Sequence, residues 1–225
     1  MTQLKEFTMS SARPLPVLLL ADISGSMASD GKIQSLNHAM REMISTFAQE
    51  DDLRAEIHVG VVTFGGAQAQ QHLAIGPAKQ VTWSDLPASG STPMGSAFRL
   101  ATQIVEDRAL IPSRAYRPTV VLLSDGQPTD EWKASLDTLL KSERGGKAFR
   151  MALAVGADAD ENVLKAFLND PEARVFRADE ARQIRQFFRL VTMSVTSRSR
   201  SQNPNAAPPT AAAGAKLPAD EGWDL

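Results

Sequence analysis

There is no cysteine anywhere in the 225 residues. That excludes disulfides, thiolate zinc sites, iron–sulfur clusters and cysteine nucleophiles. A long apolar run is missing too. The first candidate, residues 15–21, is too short to span a bilayer and ends on Asp22. No stretch reads as a signal peptide, so a cytoplasmic location is expected. Charge of one sign is also lacking: 24 basic residues face 26 acidic ones, for a net charge of -2. Without a basic stripe, neither nucleic acid nor a membrane surface is expected as a partner. The three histidines, His38, His58 and His72, show no ligand spacing. His38 reads as a helix-surface residue and the other two as strand residues. No G-x-S-x-G nucleophile elbow is present. Gly25 to Lys32 only approximates a phosphate loop. Five residues rather than four separate Gly25 from Gly31, and Ile33 stands where a hydroxyl should bind magnesium.

What is there is an ordinary globular composition, 43% apolar, long enough for one sizeable domain plus a tail. Residues 17–21 form a continuous apolar run, as expected of a strand buried on both faces. Ile33, Leu36, Met40, Met43, Ile44 and Phe47 follow the helical period and predict a helix over 32–49. A β-branched strand over 55–64 turns at Gly65-Gly66 into a polar return strand near 70–75, antiparallel and at the sheet edge. After a loop over 78–94, a helix begins with Pro93 at its first position. Strand 119–124, helix 130–144, strand 149–155, helix 161–168, strand 174–176 and a helix from 179 to about 195 complete the order. Alternation of this kind predicts an α/β fold: a doubly wound, mostly parallel six-stranded sheet with one antiparallel edge strand and helices on both faces. The divisions expected are a lead-in over 1–13, one domain over 14–196, and a flexible Ser/Ala/Pro-rich tail over 197–225. The tail's acidic end carries Asp220, Glu221, Trp223, Asp224 and Leu225.

Open α/β sheets bind ligands at the carboxyl ends of their strands, where the strand order reverses. Asp22 follows the first strand and Asp125 follows the strand over 119–124, so the two carboxylates should face one crevice. Ser24 and Ser26 add hydroxyls on the first loop. Such an oxygen-rich site suits a hard divalent cation. Each residue also has a plainer reading. Ser26 or Ser29 would serve as a helix cap, Thr92 before Pro93 as another, and Asp125-Gly126 as a turn. Asp158 and Asp160 read as the cap of the helix over 161–168 rather than a calcium loop. Trp83 and Trp132 are candidates for the rim of the site or for packing.

Taken together, Asp22-x-Ser24-x-Ser26, Thr92 in Ser-Thr-Pro, and Asp125-Gly126 resemble the metal-ion-dependent adhesion site of von Willebrand factor type A (VWA) domains. The resemblance covers roughly residues 14–195. The wording Leu123-Ser124-Asp125-Gly126-Gln127-Pro128-Thr129-Asp130 is similar to bacterial tellurium-resistance-associated, TerY-like proteins. The resemblance implies that Ser24, Ser26 and Thr92 give hydroxyl oxygens to Mg2+ (or Mn2+ or Ca2+), while Asp22 and Asp125 act mainly through water. It implies no catalysis. The partner would be a protein offering a Glu or Asp, in a tellurium-resistance, stress-response or defence system with kinase or phosphatase members. Docking of the chain's own acidic tail is a variant of that reading. The alternative is a metal-dependent phosphatase using Asp22, which lacks an evident general acid on the motif loop.

Overall fold

The computed structural model of the chain describes residues 12–206. The expectations about the lead-in and the acidic end fall outside the described residues. In chain order the elements are β1 (Arg13–Asp22), α1 (Lys32–Gln49), β2 (Ala55–Gly65), β3 (Gln68–Pro77), α2 (Met94–Glu106), β4 (Thr119–Ser124), α3 (Lys133–Lys141), β5 (Phe149–Val155), α4 (Glu161–Leu168), β6 (Val175–Ala178) and α5 (Ala181–Arg200). One six-stranded sheet carries the order β3-β2-β1-β4-β5-β6. Every neighbouring pair is parallel except β2 with the edge strand β3.

β1 is the centre of the molecule because its side chains alternate between two cores. Leu15, Val17, Leu19 and Ala21 pack with α1 and α5, while Leu18 and Leu20 pack with α2, α3 and α4. Fully burying one such leucine or valine contributes roughly 1.5–3 kcal/mol. A strand apolar at every position therefore belongs between two helical layers. α1 buries the six apolar side chains that predict it. β3, by contrast, is half-exposed along most of its length, as a polar edge strand should be.

Several boundaries differ from the sequence reading, each for a tertiary reason. α3 starts at Lys133 rather than at residue 130. The Asp130 carboxylate instead accepts from the backbone N–H of Gly95 at 2.7 Å and of Ser96 at 2.8 Å, capping α2 from outside. Glu131 then crosses so close to Gly95 that a β-carbon there would stand 2.2 Å from the Glu131 carbonyl oxygen. Pro93 precedes the first helical residue of α2 rather than occupying it. β6 lies over Val175–Ala178, later than the strand expected over 174–176, and a Glu180–Gln183 capping box opens α5 at Ala181. α5 runs to Arg200, past the end expected near residue 195, so the expected domain boundary at 196/197 falls inside this helix. Its last turn is held by Arg198, which is buried and reaches back to the start of β4.

Candidate metal centre

The β1–β4 boundary is where the strand order reverses, and the loops leaving both strands rise side by side from it. The first loop, residues 23–31, is a short 3-10 turn over Gly25–Ala28. It is clamped by a second loop, residues 88–93. Ser89 N–H donates to the Ile23 carbonyl at 2.7 Å, and Gly25 N–H donates to the Gly90 carbonyl at 3.0 Å. Gly90 itself is at φ +81°, and a β-carbon on it would stand 2.2 Å from the Gly66 nitrogen, so only glycine admits this approach. The third loop, residues 125–130, is tied to the second through Thr92. Thr92 N–H donates to the Thr129 hydroxyl at 3.2 Å, and Thr129 N–H donates to the Thr92 carbonyl at 3.0 Å.

These clamps bring the five expected residues onto one crest. Asp22, Ser24, Thr92 and Asp125 are buried, while Ser26 is exposed at the mouth. The Ser24 and Ser26 hydroxyls are 3.0 Å apart. Ser26 donates to Asp125 Oδ1 at 2.7 Å, with Ser24 farther away at 3.4 Å. The Thr92 hydroxyl points to the same turn, 3.4 Å from where a β-carbon on Gly126 would be. It makes no hydrogen bond among the described residues, so its oxygen is not committed to capping α2. Ser26 and Ser29 do not cap α1 either; Gly31 stands at that position with no side-chain cap.

Both oxygens of Asp22 are engaged. Oδ1 accepts from the Ser24 N–H at 2.8 Å, and Oδ2 accepts from the Ser124 hydroxyl at 2.5 Å. Burial nonetheless pushes the Asp22 carboxyl up to about 6. The three donors from Ser124 and Ser24 pull against this, and the neighbouring Asp125 charge adds to it. Two buried carboxylates thus share one crevice, beside hydroxyl oxygens with lone pairs to give. That donor set fits a hard divalent cation: oxygen-only, with carboxylates enough to balance two charges. Among the described residues no group of three or more His, Asp or Glu is placed to hold a metal ion, so the crest's donors are two carboxylates and hydroxyls.

Three positions escaped the sequence reading. Ser124 closes on Asp22 because β1 and β4 pair with Ala21 beside Leu123, which sets the next residues opposite one another. Lys32, at the first position of α1, donates to Asp125 Oδ2 at 2.8 Å. Asp130 caps α2 and so steadies the loop that carries Thr92. The strand register signals the first; nothing local signals the others. Asp160 caps α4 through the Asn162 N–H, as expected. Trp83 takes the packing role. Its Nε1–H donates to Asp85 at 3.1 Å and its ring lies edge-on to His72. Trp132 packs, partly buried, against the α2–α4 core.

The family model for the von Willebrand factor type A domain matches residues 17–190. No curated protein matches the sequence at a significant level. Among solved structures, proximal thread matrix protein 1 from the mussel byssus superposes with a TM-score of 0.63 at 14% identity, over 81% of this chain and 48% of that one. That mussel protein has also been solved with a zinc-occupied MIDAS motif, with a TM-score of 0.60 at 14% identity, again over 81% and 48% of the two chains. A von Willebrand factor type A protein from Catenulispora acidiphila gives a TM-score of 0.61 at 18% identity, over 83% of this chain and 43% of that one. The pilus adhesin SpaC from Lactobacillus rhamnosus GG gives 0.66 at 16% identity, over 83% and 31%. The chain thus spans less than half the length of these structures, and at such identities the likeness is one of fold.

Proposed function

As this chain belongs to the von Willebrand factor type A domain family, we propose that Asp22, Ser24, Ser26, Thr92 and Asp125 hold a divalent cation that captures an acidic side chain of a partner protein. The observation that carries this reading is the meeting of Ser26 and Asp125, 99 positions apart, at 2.7 Å beside a second buried carboxylate. The ion is Mg2+, with Mn2+ or Ca2+ as substitutes. The zinc-occupied motif of the mussel protein supports a divalent ion in this fold.

The chain's own residues divide the work. Ser24, Ser26 and Thr92 offer hydroxyl oxygens. Asp125, buried beneath Ser26, supplies charge. Asp22, with both oxygens engaged and no exposure, orders the motif loop and balances charge from beneath. When bound, the cation supplies an electrophilic position for a carboxylate, a charge-assisted contact able to anchor an interface.

The phosphatase alternative needs Asp22 as an exposed nucleophile, and its burial and saturated oxygens argue against that. We therefore read the protein as a binding module rather than an enzyme. The loop wording after β4 supports a place among bacterial, cytoplasmic TerY-like proteins of tellurium resistance or stress response, with a kinase or phosphatase of the same system as partner. Among the described residues no helix is long and apolar enough to cross a membrane.

The test is affinity capture from cell extract with Mg2+ or with chelator, using wild type and Asp22→Ala, both checked for folding by circular dichroism. A partner retained only by wild type in Mg2+ is the expected result. Equal capture in chelator would overturn the reading. Capture unchanged on removing residues 207–225 would discard the variant in which the acidic tail occupies the site.

A further inference from the structure

Among the described residues Lys32 is the cation paired to the crest, and the metal reading leaves it without a role. Its ammonium donates to Asp125 Oδ2, the oxygen opposite the one that takes Ser26. Its side chain is only 18% exposed and that of Asp125 is fully buried, so water screens the pair poorly. The ammonium is seated by the turn after β5. Gly156 is at φ +75°, and a β-carbon there would stand 3.5 Å from Lys32 Nζ and 3.8 Å from its Cε. The first turn of α1, the loop after β4 and the turn after β5 thus converge on one charge. The nearby acids Asp130 and Asp160 are committed to the N-termini of α2 and α4.

The charge count follows. Asp22 and Asp125 against Lys32 leave the metal-free crevice with one net negative charge. A divalent cation turns that into one net positive charge, whereas without Lys32 the loaded crevice would be neutral. We propose that Lys32 is the specificity-determining residue of the site: it weakens divalent-metal binding and, in exchange, leaves the loaded site cationic, so that it selects an anionic ligand. The proposal rests on the metal-binding reading above and deepens it. In the metal-free protein the same ammonium keeps Asp125 from standing unpaired in a dry site.

The experiment titrates Mn2+ into wild type, Lys32→Gln and Lys32→Arg, followed by electron paramagnetic resonance, with thermal unfolding to confirm the fold. Paramagnetic broadening of [13C]acetate by protein-bound Mn2+ reads the anion preference. Lys32→Gln should bind Mn2+ at least about tenfold more tightly, the floor set by one unit charge acting on a divalent ion across about 6 Å at the dielectric of water. At equal Mn2+ occupancy it should broaden acetate several-fold less. Lys32→Arg should resemble wild type in both. If folded Lys32→Gln binds Mn2+ as wild type does, or more weakly, Lys32 merely positions Asp125 and this inference is overturned while the metal site stands. If wild type binds no Mn2+, the metal site and the inference fall together.

Discussion

The molecule buries charge at both ends of its sheet, and it does so in opposite ways. At the amino end of β4, the Arg198 guanidinium is enclosed by neutral acceptors: the Pro204 carbonyl at 2.9 Å, the Thr119 hydroxyl at 2.6 Å and the Arg117 carbonyl at 2.7 Å. The Phe149 ring lies 4.2 Å beneath it. Burial lowers its pKa to about 10, still far above neutrality, with the nearby Arg117 charge adding to the effect. Each of the three guanidinium nitrogens donates to a protein acceptor, which makes it a lock. At the carboxyl end, Asp22 and Asp125 bring like charges together and carry hydroxyl oxygens to the surface. Local order there comes at an electrostatic cost, offset at Asp125 by the Lys32 ammonium. The first arrangement surrounds one charge with neutral acceptors, and the second sets two carboxylates together beside the Lys32 ammonium.

Three substitutions would break or sharpen that contrast. The largest effect is expected for Arg198→Ala, which strips three acceptors of their donor and leaves a cavity under the last turn of α5. Urea unfolding should show a loss of about 3–5 kcal/mol, and Mg2+ should restore none of it. Asp22→Asn should act the other way. Raised above its unfolded value of 3.8 to about 6, the Asp22 carboxyl contributes stability that is fully present below the lower value and lost as pH rises through the upper one. At pH 7 without metal the asparagine variant should therefore be more stable than wild type by about 3 kcal/mol, with the gap closing towards pH 4. Urea titrations at several pH values check this. Mg2+ should stabilise wild type and leave the variant unmoved. Ser124→Ala has the smallest expected effect. Losing the hydroxyl donor to Asp22 should cost about 1 kcal/mol at neutral pH and raise the Asp22 pKa further, as carboxylate titration by NMR would show.

Much of this was legible beforehand, and the particular elements show why. α1, β4, β5 and α4 begin and end where the sequence pattern sets them, because hydrophobic period and local stop signals decide such segments. α3 starts later than its pattern suggests because Asp130, a good first residue for its own helix, is taken by the N-terminus of another. α5 outruns its expected end because a Ser/Arg run reads as solvated chain, whereas Arg198 buries itself against Phe149 and Thr119. The five candidate ligands were visible as a spaced motif. Lys32 was visible only as a residue of a failed phosphate loop, and its actual partner lies 93 positions away.

The sequence by itself determined the alternation of strand and helix, the central place of β1 and the identity of the oxygen-bearing residues on the crest. These depend on periodicity and on short-range chemistry, which survive in a linear string. Only the tertiary structure decided which carboxylate is saturated, which is paired to Lys32, and which end of the sheet is closed. Those outcomes depend on desolvation, and desolvation exists only once segments about a hundred residues apart have packed together and driven the water out.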